Sequence, residues 1–221
     1  MRRDELAPGL VRWSTAHPGW EPGHGWEREV TSYLVVADDA TLLLDPLVPE
    51  GDDTASFWTW LDGEIARVGK TVAVVLSRAG HFRSSQEVHD RHAARVYGND
   101  RGRARLVPAH DFRPVAGGGE LPGGVRALPC RGIYDETPLF FPSHGALAVG
   151  DLIVSIDGEL RVWWVADDEA DEREYREEHL PSLRAWLELP IEHVLVSHGD
   201  YVPGGGAALA AAFERAPWDV S

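Results

Sequence analysis

The most informative part of this sequence is Val72-Ala73-Val74-Val75-Leu76-Ser77-Arg78-Ala79-Gly80-His81-Phe82-Arg83-Ser84-Ser85. Its first five residues are apolar and mostly β-branched, which is typical of a strand that is buried on both faces. Ser84 or Ser85 can serve as a helix N-cap and Glu87 follows in the first turn, so a helix is predicted over 84–96. The loop between strand and helix contains one histidine and two arginines, and we expect the chemistry of the chain there.

The sequence on both sides of this stretch alternates between strand and helix patterns. This alternation, repeated in the second half, favours an α/β layered architecture. Because no linker is long enough to separate domains, residues 1–221 are expected to form a single domain. Strands are predicted at 9–13, 31–36, 41–44, 72–76, 96–98, 125–128, 139–141, 146–149, 160–165 and 194–197, and further helices at 56–68, 172–187 and 207–215.

The composition excludes several classes of partner. With 221 residues and a formal net charge of −15, the chain is expected to bind neither nucleic acid nor an anionic membrane surface, which both attract basic proteins. The single cysteine, Cys130, excludes an internal disulfide and a cysteine-rich metal site. No apolar run approaches the roughly 20 residues of a membrane span, and the N-terminus lacks a signal-peptide core. A cytoplasmic protein is therefore expected.

Five fragments of the chain occur in a characteristic order: Glu5-Leu6-Ala7-Pro8-Gly9-Leu10-Val11, Ser32-Tyr33-Leu34-Val35 with Leu42-Leu43-Leu44-Asp45-Pro46, Val74-Val75-Leu76-Ser77, Ala148-Val149-Gly150-Asp151, and Val194-Leu195-Val196-Ser197-His198-Gly199-Asp200. In this order they resemble the metallo-β-lactamase superfamily. The resemblance covers nearly the whole chain. It implies an α/β fold in the form of a four-layer αβ/βα sandwich.

The chain departs from the superfamily at the dizinc motif, Thr-His-x-His-x-Asp-His. One histidine of that motif is retained as His81, whereas Arg83 stands at the position of the metal-binding aspartate and Arg78 at or near the first ligand. The resemblance implies two further retained ligands, Asp151 and His198, each at the end of a strand. The chain is thus similar to a degenerate branch that lacks most of the motif.

The retained ligands leave two interpretations of the metal site open. Two histidines and one aspartate, His81, His198 and Asp151, are enough for a single zinc ion. Guanidinium groups oppose this, since each repels a divalent ion by roughly 8 kcal/mol at about 4 Å and an effective dielectric near 20. In the second interpretation no metal binds, and the two arginines pair with Asp151 or Glu136 and give an anion-binding pocket. The cofactor is therefore predicted to be one zinc ion or none.

The predicted function is hydrolysis of a small anionic ester, thioester or lactone. If no metal binds, His81 or His198 would be the general base, oriented by Asp151 or Asp200, and Arg83 would stabilise the oxyanion. The alternative is a catalytically inactive, metal-free member that binds a ligand or a partner, since a fold does not fix a function. Exposed tryptophans would mark a subunit interface, which leaves a homodimer open. Substrate contacts are expected from three further residues, Arg78, Glu136 and Asp200.

Overall fold

The computed structural model describes residues 1–105, 111–115, 121–131 and 135–219. The largest element is a sheet of seven strands that lie side by side in chain order. Its first four strands are antiparallel, and the later strands continue from the fourth in parallel. The strands are β1 (Arg2–Ala7), β2 (Leu10–Ala16), β3 (Glu29–Val36), β4 (Ala40–Leu44), β5 (Thr71–Val75), β6 (Arg95–Gly98) and β7 (Phe112–Pro114).

A second sheet is built from the later part of the chain and contains four strands. They are β8 (Arg126–Ala127), β9 (Leu139–Phe141), β10 (Ala146–Val149) and β13 (His193–Val196), in the order β13-β10-β9-β8. A hairpin of β11 (Ile153–Ile156) and β12 (Glu159–Val162) follows β10. Strands β10 and β13 are parallel, so their carboxyl ends meet at the same edge of the sheet.

Helices cover the outer faces of both sheets. The first sheet carries α1 (Asp53–Val68) and α2 (Ser85–His92). The second carries α5 (Gly205–Ala212) and one long helical stretch, in which a π-helical segment (Tyr175–His179) separates α3 (Glu169–Glu174) from α4 (Leu180–Arg184). Short 3-10 helices occur at Asp100–Arg105, Pro122–Gly124, Pro142–His144 and Ala185–Glu188. Among the described helices, none combines the length and the apolar composition that a membrane crossing requires.

Three apolar clusters hold these layers together. Leu42 and Leu139 belong to the cluster between the facing sheets. Phe57 belongs to the cluster between α1, α2 and the first sheet, and Leu209 to the cluster that joins the second sheet to its helices. The order of layers is therefore helix, sheet, sheet, helix. This confirms the α/β fold class, the four-layer αβ/βα sandwich, expected from the sequence.

Some boundaries differ from the sequence prediction. The helix predicted over 84–96 ends at His92, because Ala93 adopts a left-handed conformation (φ 52°) and the chain then enters β6. The predicted helix over 172–187 begins earlier, at Glu169, where the Asp168 side chain accepts hydrogen bonds from the N–H groups of Ala170 and Asp171. The sequence prediction lacks strands β1, β7 and β11; β7 and β11 have only three and four residues, and β1 is polar along most of its length.

Candidate functional site

Three of the predicted site residues meet at the edge where strands of both sheets end. Asp151 and His198 each lie two residues beyond the paired ends of β10 and β13, and His81 lies in the loop after β5. His81 Nε2 is 3.1 Å and His198 Nε2 is 3.2 Å from Asp151 Oδ1. One potential ligand atom from each residue lies within 4.8 Å of the other two. The parallel strands thus bring together groups that are far apart in sequence.

These three residues lie in a cleft of about 460 Å³. One wall is aromatic: the ring of Trp26 is 5.0 Å and that of Trp163 is 6.2 Å from the ring of His198. Charged side chains form much of the remaining lining. The principal further lining residues are His17, Arg78, Arg83, Arg101 and Asp135.

A buried carboxylate that the sequence analysis did not assign to the site, Asp45, orients His81. Asp45 Oδ2 is 3.0 Å from His81 Nδ1, and its Oδ1 accepts the N–H of Ser77 at 2.8 Å. The hydroxyl groups of Ser77 and Ser197 also donate to Oδ2. Because Asp45 fixes the proton on Nδ1, it leaves the Nε2 lone pair of His81 facing Asp151. The sequence feature that indicates this role is the position of Asp45 directly after the apolar strand β4.

The electrostatics of the cleft keep both histidines neutral at neutral pH. Burial, together with the positive charge of Arg83, lowers the pKa of His81 to about 4. Burial and the charges of Arg83 and Arg78 lower the pKa of His198 to about 3. Burial opposes ionisation of Asp45, but His81, Arg83 and the hydrogen bond from Ser77 outweigh it, and its pKa is lowered.

The converging atoms have the chemistry of a single metal site. Asp151 Oδ1, which faces the Nε2 atoms of His81 and His198, is a buried atom without a hydrogen-bond partner among the described residues. Two neutral imidazoles and one carboxylate form a ligand set that zinc uses in catalytic sites. The Asp45–His81 pair supplies the carboxylate that usually supports a metal-bound histidine. The residues present therefore fit one divalent ion.

Arg78 occupies the outer side of this cluster. Its Nη1 pairs with Asp151 Oδ2, and its Nε donates to Asp135 Oδ2 at 3.1 Å. The guanidinium group therefore binds the carboxylate oxygen of Asp151 that faces away from the histidines. The expected pairing of Arg78 with Asp151 is present, and both partners line the cleft.

Arg83 lines the cleft, but its guanidinium group pairs with backbone oxygens rather than with Asp151. Its backbone is left-handed (φ 35°), and its Nη1 donates to the carbonyl oxygens of Thr31 and Asp45, both at 2.9 Å. The expected ion pair of this arginine with Asp151 or Glu136 is not formed, because Nη1 is held by backbone oxygens. Its charge acts on the site through the lowered pKa values of the two histidines.

The two remaining predicted residues do not line the cleft. The Glu136 carboxylate is buried and accepts the N–H groups of residues 150–152, so it holds the turn that carries Asp151. Burial raises the pKa of Glu136 to about 8, against the lowering effect of these hydrogen bonds. Asp200 is exposed and pairs with the side chain of Arg2. In this structure Glu136 thus makes a positioning contact and Asp200 a surface ion pair, and the substrate contacts expected from them stay a prediction.

Comparison with known proteins gives structural similarity without sequence similarity. No protein-family model matches the chain, and no curated protein matches it. The structure is similar to the DIM-1 metallo-β-lactamase, with a TM-score of 0.64 and 14% identity over 96% of this chain and 95% of that chain. It is also similar to a β-lactamase domain protein from Burkholderia ambifaria, with a TM-score of 0.61 and 17% identity over 95% and 74% of the two chains.

A third similar structure is the flavodiiron protein from Giardia intestinalis, with a TM-score of 0.63 and 17% identity over 97% of this chain and 58% of that chain. Identities at this level establish a shared fold and leave the activity to be argued from the site. The chain therefore has the metallo-β-lactamase fold.

Proposed function

We propose that this protein hydrolyses a small anionic ester, thioester or lactone with one divalent ion, zinc, held by His81, Asp151 and His198. The single observation that carries this proposal is the convergence of their three ligand atoms at one point of the cleft. Similar structures are named as metallo-β-lactamase and flavodiiron proteins, so metal sites on this fold support it by analogy.

The chain's own residues would bind and orient the substrate. A divalent ion held there would polarise a carbonyl group and provide a nucleophile from water at neutral pH. Asp45 keeps the proton of His81 on Nδ1, and the aromatic wall of Trp26 and Trp163 restricts water around His198. Arg78, which is partly exposed at the cleft wall, is placed to bind an anionic group of the substrate.

Metal content and turnover test this proposal together. Protein purified without added zinc is loaded with zinc, desalted and analysed for bound metal, and a panel of esters, thioesters and lactones is then assayed. We expect stoichiometric zinc and turnover in the wild type, and loss of both in His81→Ala. His144→Ala, which removes a histidine outside the cleft, is the matched control and should retain both. Zinc-independent background rates shared by all three proteins would contradict the proposal.

A metal-free, ligand-binding protein is the second candidate. The observation that favours it is the ion pair between Arg78 and Asp151, which neutralises the carboxylate without a metal ion. In that case the loaded wild type would lose its zinc on desalting and cleave none of the panel. A small anion would nevertheless bind to the cleft, and Arg78→Gln would weaken that binding.

A further inference from the structure

A second cavity, of about 540 Å³, adjoins the cleft and shares two of its lining residues, His17 and Arg83. We call it the side groove. Its remaining walls come from the segments after β2 and β4, from the start of α1, and from α2 and the loop before it. Apolar side chains predominate in it, chiefly Pro18, Leu47, Val48, Pro49 and Phe82.

The walls of the side groove are fixed by hydrogen bonds from elements around it. The N–H of Val48 donates to Ser84 Oγ at 3.0 Å, and the N–H of Ser84 donates to the carbonyl of Pro46 at 2.9 Å. The indole N–H of the buried Trp13 donates to the carbonyl of Leu47 at 2.8 Å. A ligand would therefore meet a preformed surface and would not need to order it on binding.

Arg83 stands between the cleft and the side groove. Its left-handed backbone is costly for a non-glycine residue, by about 1–3 kcal/mol, and such conformations cluster at functional sites. The bonds from Nη1 to the carbonyl oxygens of Thr31 and Asp45 hold the guanidinium group in this position. A fixed positive charge at the junction suits a ligand whose polar end lies in the cleft and whose other end continues past Arg83.

The charges around the side groove limit what that other end can be. Two carboxylates, Glu50 and Glu87, lie among its lining residues, so a second anionic group would be repelled. Burial of aliphatic carbons on the apolar walls is favourable. We propose that the side groove binds an uncharged aliphatic arm of the substrate, whose anionic or carbonyl end lies in the cleft. The identity of that reacting end rests on the proposed function.

Binding of straight-chain alkanoates tests the side groove without requiring turnover. The affinities of acetate, butyrate, hexanoate, octanoate and decanoate are measured by calorimetry on the wild-type protein. We expect the dissociation constant to fall about two- to fourfold with each added methylene until the groove is filled. Equal affinities for acetate and octanoate, or no binding by any member, would overturn the proposal.

Three variants test whether the aliphatic arm lies in the side groove. Thr54→Glu adds a charge to the groove at the second residue of α1, where a helix tolerates an acidic residue, and should weaken octanoate at least tenfold. Ser56→Glu adds the same charge to an exposed position of the same helix and should leave octanoate binding unchanged. Glu87→Leu extends the apolar wall and should strengthen octanoate binding, which misfolding cannot do. Equal effects of the two glutamate variants would refute the assignment.

Two series of esters distinguish the source of the arm and separate this inference from the proposed function. In one series the acyl chain is lengthened, and in the other the alcohol chain. A rise in kcat/KM in one series assigns the arm to that side of the ester. Octanoate binding tighter than acetate binding, without cleavage of any ester, thioester or lactone of the panel, would support the groove and contradict the hydrolase. Cleavage with no preference for length in either series would contradict the groove alone.

Discussion

Acidification should destabilise this protein through the two buried histidines of its cleft. In the folded state the pKa is about 4 for His81 and about 3 for His198, whereas an unfolded histidine titrates near pH 6.5. Between these values the unfolded chain binds more protons than the folded chain. The free energy of unfolding must therefore fall as the pH drops below 6.5, and the loss continues until each folded-state pKa is passed.

The size of the effect follows from the same pKa values. At pH 5 each histidine is almost fully protonated in the unfolded chain and almost neutral in the folded chain. Relative to pH 7, this difference lowers the free energy of unfolding by about 2 kcal/mol for each residue. His81 and His198 together should lower the free energy of unfolding by about 4 kcal/mol over this interval. That is a large part of the stability of a typical domain. Glu136 acts in the opposite direction, because its raised pKa makes the folded chain bind a proton more readily than the unfolded chain, and it reduces the net loss.

Urea unfolding at pH 7 and pH 5, in the presence of a metal chelator, measures this loss. His81→Gln and His198→Gln should each reduce the pH-dependent loss by about 2 kcal/mol, whatever their effect on stability at pH 7. His144→Gln, outside the cleft, controls for removal of a histidine as such. The reasoning fails if the wild type and the two cleft variants lose stability in parallel as the pH falls.

Three substitutions test the contacts around the cleft. Asp45→Asn places an amide N–H group among hydrogen-bond donors and should lower the free energy of unfolding, measured with urea, by about 3 kcal/mol. Nitrogen NMR should show that His81 changes its tautomer, and an unchanged tautomer would contradict the positioning role of Asp45. Glu136→Gln, compared with the wild type at a pH above the raised pKa of Glu136, turns an amide N–H group toward backbone N–H groups and should cost about 2 kcal/mol, whereas a neutral effect would mean that the turn does not depend on this carboxylate. Asp200→Asn should change the free energy of unfolding by less than about 1 kcal/mol and leave turnover intact, because the pair of Asp200 with Arg2 is exposed. Loss of turnover in this variant would indicate that Asp200 acts in the site.

The elements that the sequence predicts best are those with an unbroken apolar pattern. Strands β9 and β10 begin and end at the predicted residues, because buried central strands contain only apolar side chains. The helix before β6 is predicted too long, since Ala93 ends it in a left-handed conformation without the glycine that usually marks such an end. Local patterns therefore fix the interior of an element better than its boundary.

The proximity of Asp151 and His198 follows from the ends of two strands. Asp151 and His198 are close because β10 and β13 are parallel neighbours, and a terminal position on each strand is visible in the sequence. The contacts of Asp45 and Glu136 could not be predicted in this way. Asp45 reaches partners 36 residues away in His81 and 152 residues away in Ser197, and these pairings depend on how the two sheets face each other. Sequence patterns indicate where strands end, but they do not indicate how the two sheets pack against each other.

The charge balance of the cleft connects the proposed metal with the proposed anionic substrate. Among the described residues that line the cleft or contact His81, the charges of three carboxylates and three guanidinium groups cancel. Both histidines are neutral, so they add no charge. An anion that binds in this cleft alone is stabilised only by local pairing with an arginine. An anion that binds beside a divalent ion is also stabilised by a net positive field. Each ligand must then strengthen the binding of the other by the same factor. If the ion and the substrate bind as proposed, the arginines that weaken metal binding would thus make it depend on the substrate. The groups in this balance are Asp45, Asp135, Asp151, Arg78, Arg83 and Arg101.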